Sequence, residues 1–434
     1  MKFEFIGGYS EVGKNMTLVE VGDETVVLDM GLYLPPVVGY EEGDPRDLSR
    51  EDLIRIGAIP NDNKVNKKNV KGIIFGHAHL DHIGAAPYLA KKYDCDLFGT
   101  KYTMGVLKTL FEDKGKKPRN NLVAMEFNNR YKLCENFSFE FLNMTHSTMD
   151  TALVVLYTRY GNIVYSNDYK IDNHPVLMEK INTEKLKEVQ PVKVLVLDSL
   201  YGNIDGKTPS ESVARDMVKE VVEELKDSKN AIFFTTFASH IPRLRSIVDY
   251  GRKLGRKVIF LGRSLHKYAG VAKELGIVNF VDVDIVGYGN LVRKRLKDIN
   301  EHRDEYLVIC TGNQGEKGSV LTRIAEGDLP FEFQSGDSVI FSCRTIPTKE
   351  TIKNREHLEK LLKENGVRIW KDIHVSGHGC QDDAEILINW LKPEHIILSH
   401  GEPEKVKGNK KVALKLGYKD ENVHIVRDGE ELVI

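Results

Sequence analysis

Four metal-type side chains fall within six consecutive positions, His77-Ala-His79-Leu-Asp81-His82, directly after the apolar run 70–76. In an extended segment His77 and His79 alternate and can face one ion, while Asp81 and His82 can turn toward a second. The bland alternative is four polar residues decorating a loop, and the density of donors argues against it. Three further donors each follow an apolar run. His146 comes after 136–143, Asp168 after 162–167 and His400 after 395–399. Singly, each reads as an ordinary polar strand end. Together with the cluster they can gather at one sheet edge and complete two sites. The five cysteines lie far apart with no C-x-x-C pair, which argues against both a disulfide framework and a thiolate zinc ribbon. Any metal must therefore use histidine and carboxylate.

The 434 residues, 41% of them hydrophobic, suffice for a large core and two or three domains. No apolar run is long enough to span a membrane, and the opening MKFEFIGGYS lacks the basic and apolar regions of a signal peptide. A cytoplasmic location is expected. The net charge of −2 rules out indiscriminate polyanion binding. Between 243 and 267, however, Arg243, Arg245, Arg252, Lys253, Arg256, Lys257, Arg263 and Lys267 face a single acid, Asp249. Such a cluster can contact phosphates, or simply form the solvated face of a helix and loop.

Up to residue 200 the chain reads as short β-runs with few helices, as in packed sheets. At Thr208 the texture changes. T-P-S-E predicts a capping box with proline at the first helical position, and Val213, Met217, Val221 and Leu225 form one stripe. Strands then alternate with helices, the pattern of a parallel, Rossmann-like sheet. Beyond about 365 the chain returns to short strands and a helix near 381–391.

The segments GGYSEVGKNM, HAHLDHIGAAPYL, SNDYKID, TTFASHIPRL, FLGRSL, CTGNQGEKGSVLTRIA, VIFSCRTIP, HVSGHG and LSHGE together resemble the ribonuclease J family, in the β-CASP branch of the metallo-β-lactamase fold. The resemblance implies an α/β chain, an αββα metallo-β-lactamase sandwich with an inserted Rossmann-like β-CASP domain. It divides the chain into 1–207, the first part of the metallo-β-lactamase domain, 208–365, the β-CASP domain, and 366–434, the second part. Only 34 residues follow His400, so the likeness is to the shorter, archaeal form.

Residue by residue, the resemblance implies two zinc ions, one held by His77, His79 and His146, the other by Asp81, His82 and His400, with Asp168 bridging. It assigns catalytic roles to His378, Asp198 and Asp81. The substrate-phosphate segment falls on His374, Val375, Ser376, Gly377 and His378. Asn167, Leu200 and His240 stand where the family usually has Gly, Thr and Asn. His378, oriented by Asp198, has a suitable pKa for a general acid. The implied activity is hydrolysis of RNA phosphodiester bonds, 5′-to-3′ on single-stranded RNA with a 5′-monophosphate. Endonucleolytic cleavage, a small-molecule metallohydrolase and a silent RNA-binding scaffold are the alternatives. A homodimer is compatible with the resemblance, and no membrane partner is expected.

Overall fold

Alternation at period two decides the first layers. In the strand Ser138–Asn143, Phe139 and Phe141 enter one core and Leu142 another; in Ala152–Thr158, Val154 and Leu156 oppose Leu153 and Val155. Val192–Asp198 divides in the same way, Val194 and Val196 against Leu195 and Leu197. Strands apolar on both faces must be covered on both.

The computed structural model, which describes residues 1–38, 48–65 and 69–434, provides both covers. These strands belong to a seven-stranded sheet in the order 423–425, 395–399, 192–198, 161–165, 152–158, 138–143 and 131–132. One face meets a second seven-stranded sheet, in the order 431–433, 2–7, 16–21, 24–28, 69–74, 96–100 and 122–125. Phe3, Phe5, Val26 and Ile74 of that sheet share a core with Phe139, Phe141, Val154 and Val196. The other face is covered by the helices Gln381–Leu391 and Pro403–Lys415, through Ala384, Leu387, Leu391, Val406 and Ala413. Residues 1–173, 178–208 and 376–434 form this compact unit.

Residues 174–177 and 209–375 form the other unit. Its six strands, in the order 284–286, 257–261, 306–310, 232–235, 338–341 and 368–370, are all parallel. Phe233, Ile259, Val308 and Val339 pack against Leu296, Ile299, Leu358 and Leu362 of the helices Gly289–Glu301 and Lys349–Glu364.

Two sequence expectations shift here. The helix expected to begin at Thr208 is Glu211–Glu224, capped by Ser210, whose Oγ accepts the Ser212 amide. Its buried side is Ala214, Val218, Val221 and Val222, while Val213 is exposed. Thr208 and Glu211 have other partners: the Thr208 amide donates to Asp383 and Glu211 pairs with Arg243. The second unit also runs ten residues past 365, because Arg368–Trp370 pairs in parallel with Ser338–Phe341 as a sixth strand.

Candidate metal centre

Four of the seven proposed donors, and Asp198 with them, lie at or just past the carboxyl end of a strand. His77 follows Asn69–Ile74, His146 follows Ser138–Asn143, Asp168 follows Gly161–Tyr165, Asp198 ends its strand, and His400 follows His395–Ser399. His79 is the N-cap of the short helix Leu80–Ile83, which carries Asp81 and His82. Gly76 is required before His77: a Cβ there would lie 1.5 Å from Asn167 Nδ2. Asn167 itself adopts φ +58°. That is the left-handed region favouring glycine, and asparagine tolerates it better than most side chains. Its Oδ1 accepts the Asp168 amide at 3.0 Å.

The seven expected ligands form two groups that share Asp168, and Asp168 and His400 form a third such set with Asp198 and His378. In His77, His79, His146 and Asp168, and again in Asp81, His82, Asp168 and His400, one ligand atom per residue lies within 4.8 Å of all the others. The two oxygens of Asp168 divide between them. Oδ2 faces His77 Nε2 at 3.3 Å and His146 Nε2 at 3.7 Å, whereas Oδ1 faces His82 Nε2 at 3.1 Å and His400 Nε2 at 3.9 Å. The structure therefore brings together all seven residues expected as ligands.

Burial makes this arrangement costly by itself. Both nitrogens of His77, both oxygens of Asp168 and His400 Nε2 are buried without a hydrogen-bond partner among the described residues. Each such group costs about 1–3 kcal/mol of lost solvation. A cation seated among them relieves that cost, and an imidazole and carboxylate set suits zinc-like ions. Among the protein groups themselves, burial and His77 push His79 down to about 3. Burial and then the nearby His79 and His378 hold His146 well below its ordinary value. For Asp168 burial acts upward, but His82, His400, His378 and His77 outweigh it and hold the carboxyl well below its usual range. Neutral imidazoles at His79 and His146 beside an ionised Asp168 are protonation states that ligate metal, whereas His82 is raised well above its ordinary value, burial acting downward but Asp168, Asp29 and Asp81 outweighing it.

Further residues orient the donors. His82 Nδ1 donates to Asp29 Oδ2 at 2.7 Å, and Tyr165 Oη donates to the same oxygen at 2.7 Å. His146 Nδ1 donates to the Gly377 carbonyl at 2.7 Å. With Nδ1 so engaged, each ring turns Nε2 toward its donor group, where His82 Nε2 lies 3.1 Å from Asn15 Nδ2 and His146 Nε2 lies 3.1 Å from His79 Nδ1 and 3.3 Å from Ser147 Oγ. Sequence reading missed Asp29. Its signal was weak, one aspartate after the apolar run 26–28. Lys170 was also missed. Its buried ammonium donates to the Ser376 carbonyl at 3.1 Å and faces Asp172 at 3.6 Å.

His378 stands beside the donors. Its Nδ1 lies 2.9 Å from Asp198 Oδ2 and its Nε2 3.8 Å from Asp168 Oδ2. Burial acts downward on its pKa, but Asp168 and Asp198 raise it above the ordinary value. Ser376 Oγ accepts the His378 amide at 3.0 Å, which leaves the hydroxyl proton to donate elsewhere. Of the expected phosphate segment, Ser376, Gly377 and His378 belong to this unit, whereas His374 and Val375 belong to the other. His374 is pushed down to about 2, by burial and then by Arg243 and His240.

Five of the eight cations of the basic cluster are tied up by the fold, while Lys253 and Arg263 stay exposed. Arg243 is fully buried, bound to Glu211 at 2.6 and 2.9 Å and to the Ser342 and Ile373 carbonyls. Arg245 pairs with Asp249, Arg252 with Asp282 and Lys257 with Glu305, while Arg256 binds the carbonyls of Ser228, Asn230, Arg303 and Tyr306. The glycine-rich turn after residue 310 is likewise knitted inward. Gln314 bonds the Arg344 carbonyl and the Ile346 amide. No helix among the described residues is long and apolar enough to cross a membrane.

Two facing sheets with helices outside, and a shared carboxylate between two histidine-rich donor groups at the strand ends, define a metallohydrolase of the metallo-β-lactamase fold. Residues 9–236 match the metallo-β-lactamase superfamily, 229–360 the ribonuclease J β-CASP domain, and 357–426 the Zn-dependent metallo-hydrolase RNA specificity domain. The chain is 41% identical over 440 residues to ribonuclease J of Methanocaldococcus jannaschii, covering 99% of this chain and 98% of that one. Against ribonuclease J of Pyrococcus abyssi the identity is 39% over 441 residues, covering 100% and 97%. The Helicobacter pylori J99 ribonuclease J is 30% identical over all of this chain, which spans 60% of its length. The chain belongs to the ribonuclease J family. A crystal structure of a protein of unknown function from Enterococcus faecalis V583 shares the fold, with TM-score 0.65 at 16% identity over 100% of this chain and 99% of that one.

Proposed function

We propose that the chain is a zinc-dependent ribonuclease that hydrolyses single-stranded RNA from a 5′-monophosphorylated end toward the 3′ end. Family membership supports an RNA-directed nuclease. The observation that carries the metal-dependent chemistry is the division of the Asp168 oxygens between two donor groups whose buried polar atoms are otherwise unmet. His77, His79 and His146 would hold one zinc ion, Asp81, His82 and His400 the other, and Asp168 both. Bound zinc would supply Lewis acidity toward the phosphate and make water a competent nucleophile near neutral pH.

The remaining steps belong to side chains. The departing 3′-oxygen needs a proton, and His378 supplies it from the imidazole that Asp198 orients. Asp81 completes the negative charge facing His82 and His400. Ser376 Oγ, which accepts the His378 amide, keeps its own proton to donate to a terminal phosphate. Docked there, a 5′-monophosphate sets the next linkage beside the donor groups. RNA labelled at either end, carrying monophosphate, triphosphate or hydroxyl 5′ termini, tests the direction. The expected product is nucleoside 5′-monophosphate released from monophosphorylated ends. A ladder of internal fragments, indifferent to the terminal group, would establish endonucleolytic cleavage instead.

A further inference from the structure

The segment from Gly7 to Asn15 supplies none of the seven donors, yet it closes around one side chain. Asn15 is buried, and its backbone and side chain both reach the residues that carry the second donor group. Its amide N–H and its Nδ2 each donate to the Asp81 carbonyl at 3.0 Å. Its own carbonyl accepts the Gly31 amide at 2.9 Å, and the Gly8 carbonyl accepts the His400 amide at 2.7 Å. The packing leaves room for this side chain and little else. Gly8 has φ +90°, and a Cβ there would come 2.1 Å from Asn15 Oδ1. A Cβ on Gly31 would lie 1.7 Å from the Asp81 carbonyl oxygen and 2.5 Å from the Asn15 nitrogen.

Both ends of the Asn15 amide lie within reach of His400 Nδ1, Nδ2 at 2.9 Å and Oδ1 at 3.2 Å, and Nδ2 also lies 3.1 Å from His82 Nε2. Chemistry decides between them. A carbonyl oxygen only accepts, so the atom facing Asp81 O must be the NH2. His400 Nε2 faces Asp81 Oδ2 at 3.5 Å and is buried without a hydrogen-bond partner among the described residues. For Nε2 to offer its lone pair to a cation, the ring proton must sit on Nδ1. That proton then needs an acceptor, and Oδ1 is the amide's only one.

We infer that Asn15 is a positioning residue: its Oδ1 fixes His400 in the Nδ1–H tautomer while its Nδ2 ties His400 to the backbone of Asp81. The inference rests on His400 being a metal ligand. It assigns Asn15 the task that Asp29 performs for His82, with one difference. The partner of His82 is a carboxylate and that of His400 a neutral amide, so two ligands of one donor group are oriented by groups of different charge. Aspartate keeps the acceptor and loses the donor, and leucine loses both.

The test uses cobalt(II) as the probe, titrated into the metal-free full chain against a competing chelator and followed by visible absorption, without RNA. Wild type is expected to show two binding steps. Asn15→Leu should keep the first and weaken the second roughly 10- to 100-fold. Asn15→Asp, which retains the acceptor, should recover most of that loss. Wild-type binding by Asn15→Leu, or an Asn15→Asp protein no better than the leucine variant, overturns the acceptor role. Nitrogen-15 histidine spectra of the zinc-loaded wild type give a readout independent of how the variants fold. His400 is expected to carry its proton on Nδ1, and an Nε2–H tautomer overturns the inference. His400→Ala separates the two levels. If it leaves both steps intact, the reading of His400 as a ligand fails. If it removes the second step while Asn15→Leu does not, only the role of Asn15 fails.

Discussion

His378 presents its two ring nitrogens to two different carboxylates, Nδ1 to Asp198 at 2.9 Å and Nε2 toward Asp168 at 3.8 Å. Although the ring forms a third set with Asp168, Asp198 and His400, neither of the two groups that hold the seven expected ligands needs it for completion. Loss of the imidazole should therefore slow chemistry and spare metal. His378→Ala is expected to keep wild-type metal content and lose about 10²–10⁴-fold in single-turnover RNA cleavage. Asp198→Asn should fall less far, since the ring remains. A His378→Ala protein that cleaves at the wild-type rate removes the proton-transfer role.

Asp168 belongs to both donor groups, so its removal should disturb both. Asp168→Ala is expected to bind at least one equivalent of zinc fewer than wild type by elemental analysis after gel filtration. Undiminished metal content excludes a bridging role.

The Asp29 carboxylate accepts from both His82 Nδ1 and Tyr165 Oη, and it touches no substrate in the proposed reading. Asp29→Ala should lower affinity for one metal equivalent by roughly 10- to 100-fold, measured by chelator competition. Tyr165→Phe should cost less, because the carboxylate still orients the ring. Equal metal affinity in wild type and Asp29→Ala would dismiss the orienting role.

Ser376→Ala removes the hydroxyl that the proposed reading assigns to the terminal phosphate. It should slow 5′-monophosphorylated RNA and leave a 5′-hydroxyl substrate near its already low wild-type rate. Parallel loss on both substrates would locate Ser376 in general loop structure instead. The comparison needs only initial rates on two end-labelled RNAs.

In the second unit Glu211 is buried, and although burial acts upward, Arg243 and then His240 hold its carboxyl well below the usual range. A carboxyl depressed in the fold contributes stability that is present above its unfolded value and lost as pH falls through the folded one. His374, pushed down to about 2, adds a loss at higher pH. Below about 6.5 the unfolded chain binds a proton there that the fold refuses. Stability of this unit should thus decline on acidification, first below about pH 6.5 and further below about pH 4.5. Trp370 fluorescence during urea unfolding, in a Trp390→Phe background, reports on it. His374→Gln should abolish the first decline, and Arg243→Met should destabilise at neutral pH by about 3–5 kcal/mol by leaving Glu211 buried without its partner. A flat profile from pH 7.5 to 5.5 in the wild type contradicts the account of His374.

Local chemistry wrote much of this protein into its sequence. The donors of HAHLDH and the apolar runs before His146, Asp168 and His400 were legible because a strand's period and a metal's demand for imidazole and carboxylate are both local signals. The alternating strands of the second unit were legible for the same reason. Tertiary structure alone decided the rest. Which oxygen of Asp168 faces which histidine, and that Asn15 and Asp29 stand behind His400 and His82, depend on segments tens to hundreds of residues apart. The run of cations from Arg243 onward reads as a charged surface until the fold buries Arg243 and Arg256 and pairs Arg245, Arg252 and Lys257 with acids. Val213 continues a helical stripe in the sequence and is exposed in the fold, since period alone does not fix where a helix begins or which face meets the core. Sequence determines which groups are available, because side-chain chemistry is carried residue by residue; only the packed chain determines their partners, because burial and hydrogen bonding are properties of pairs.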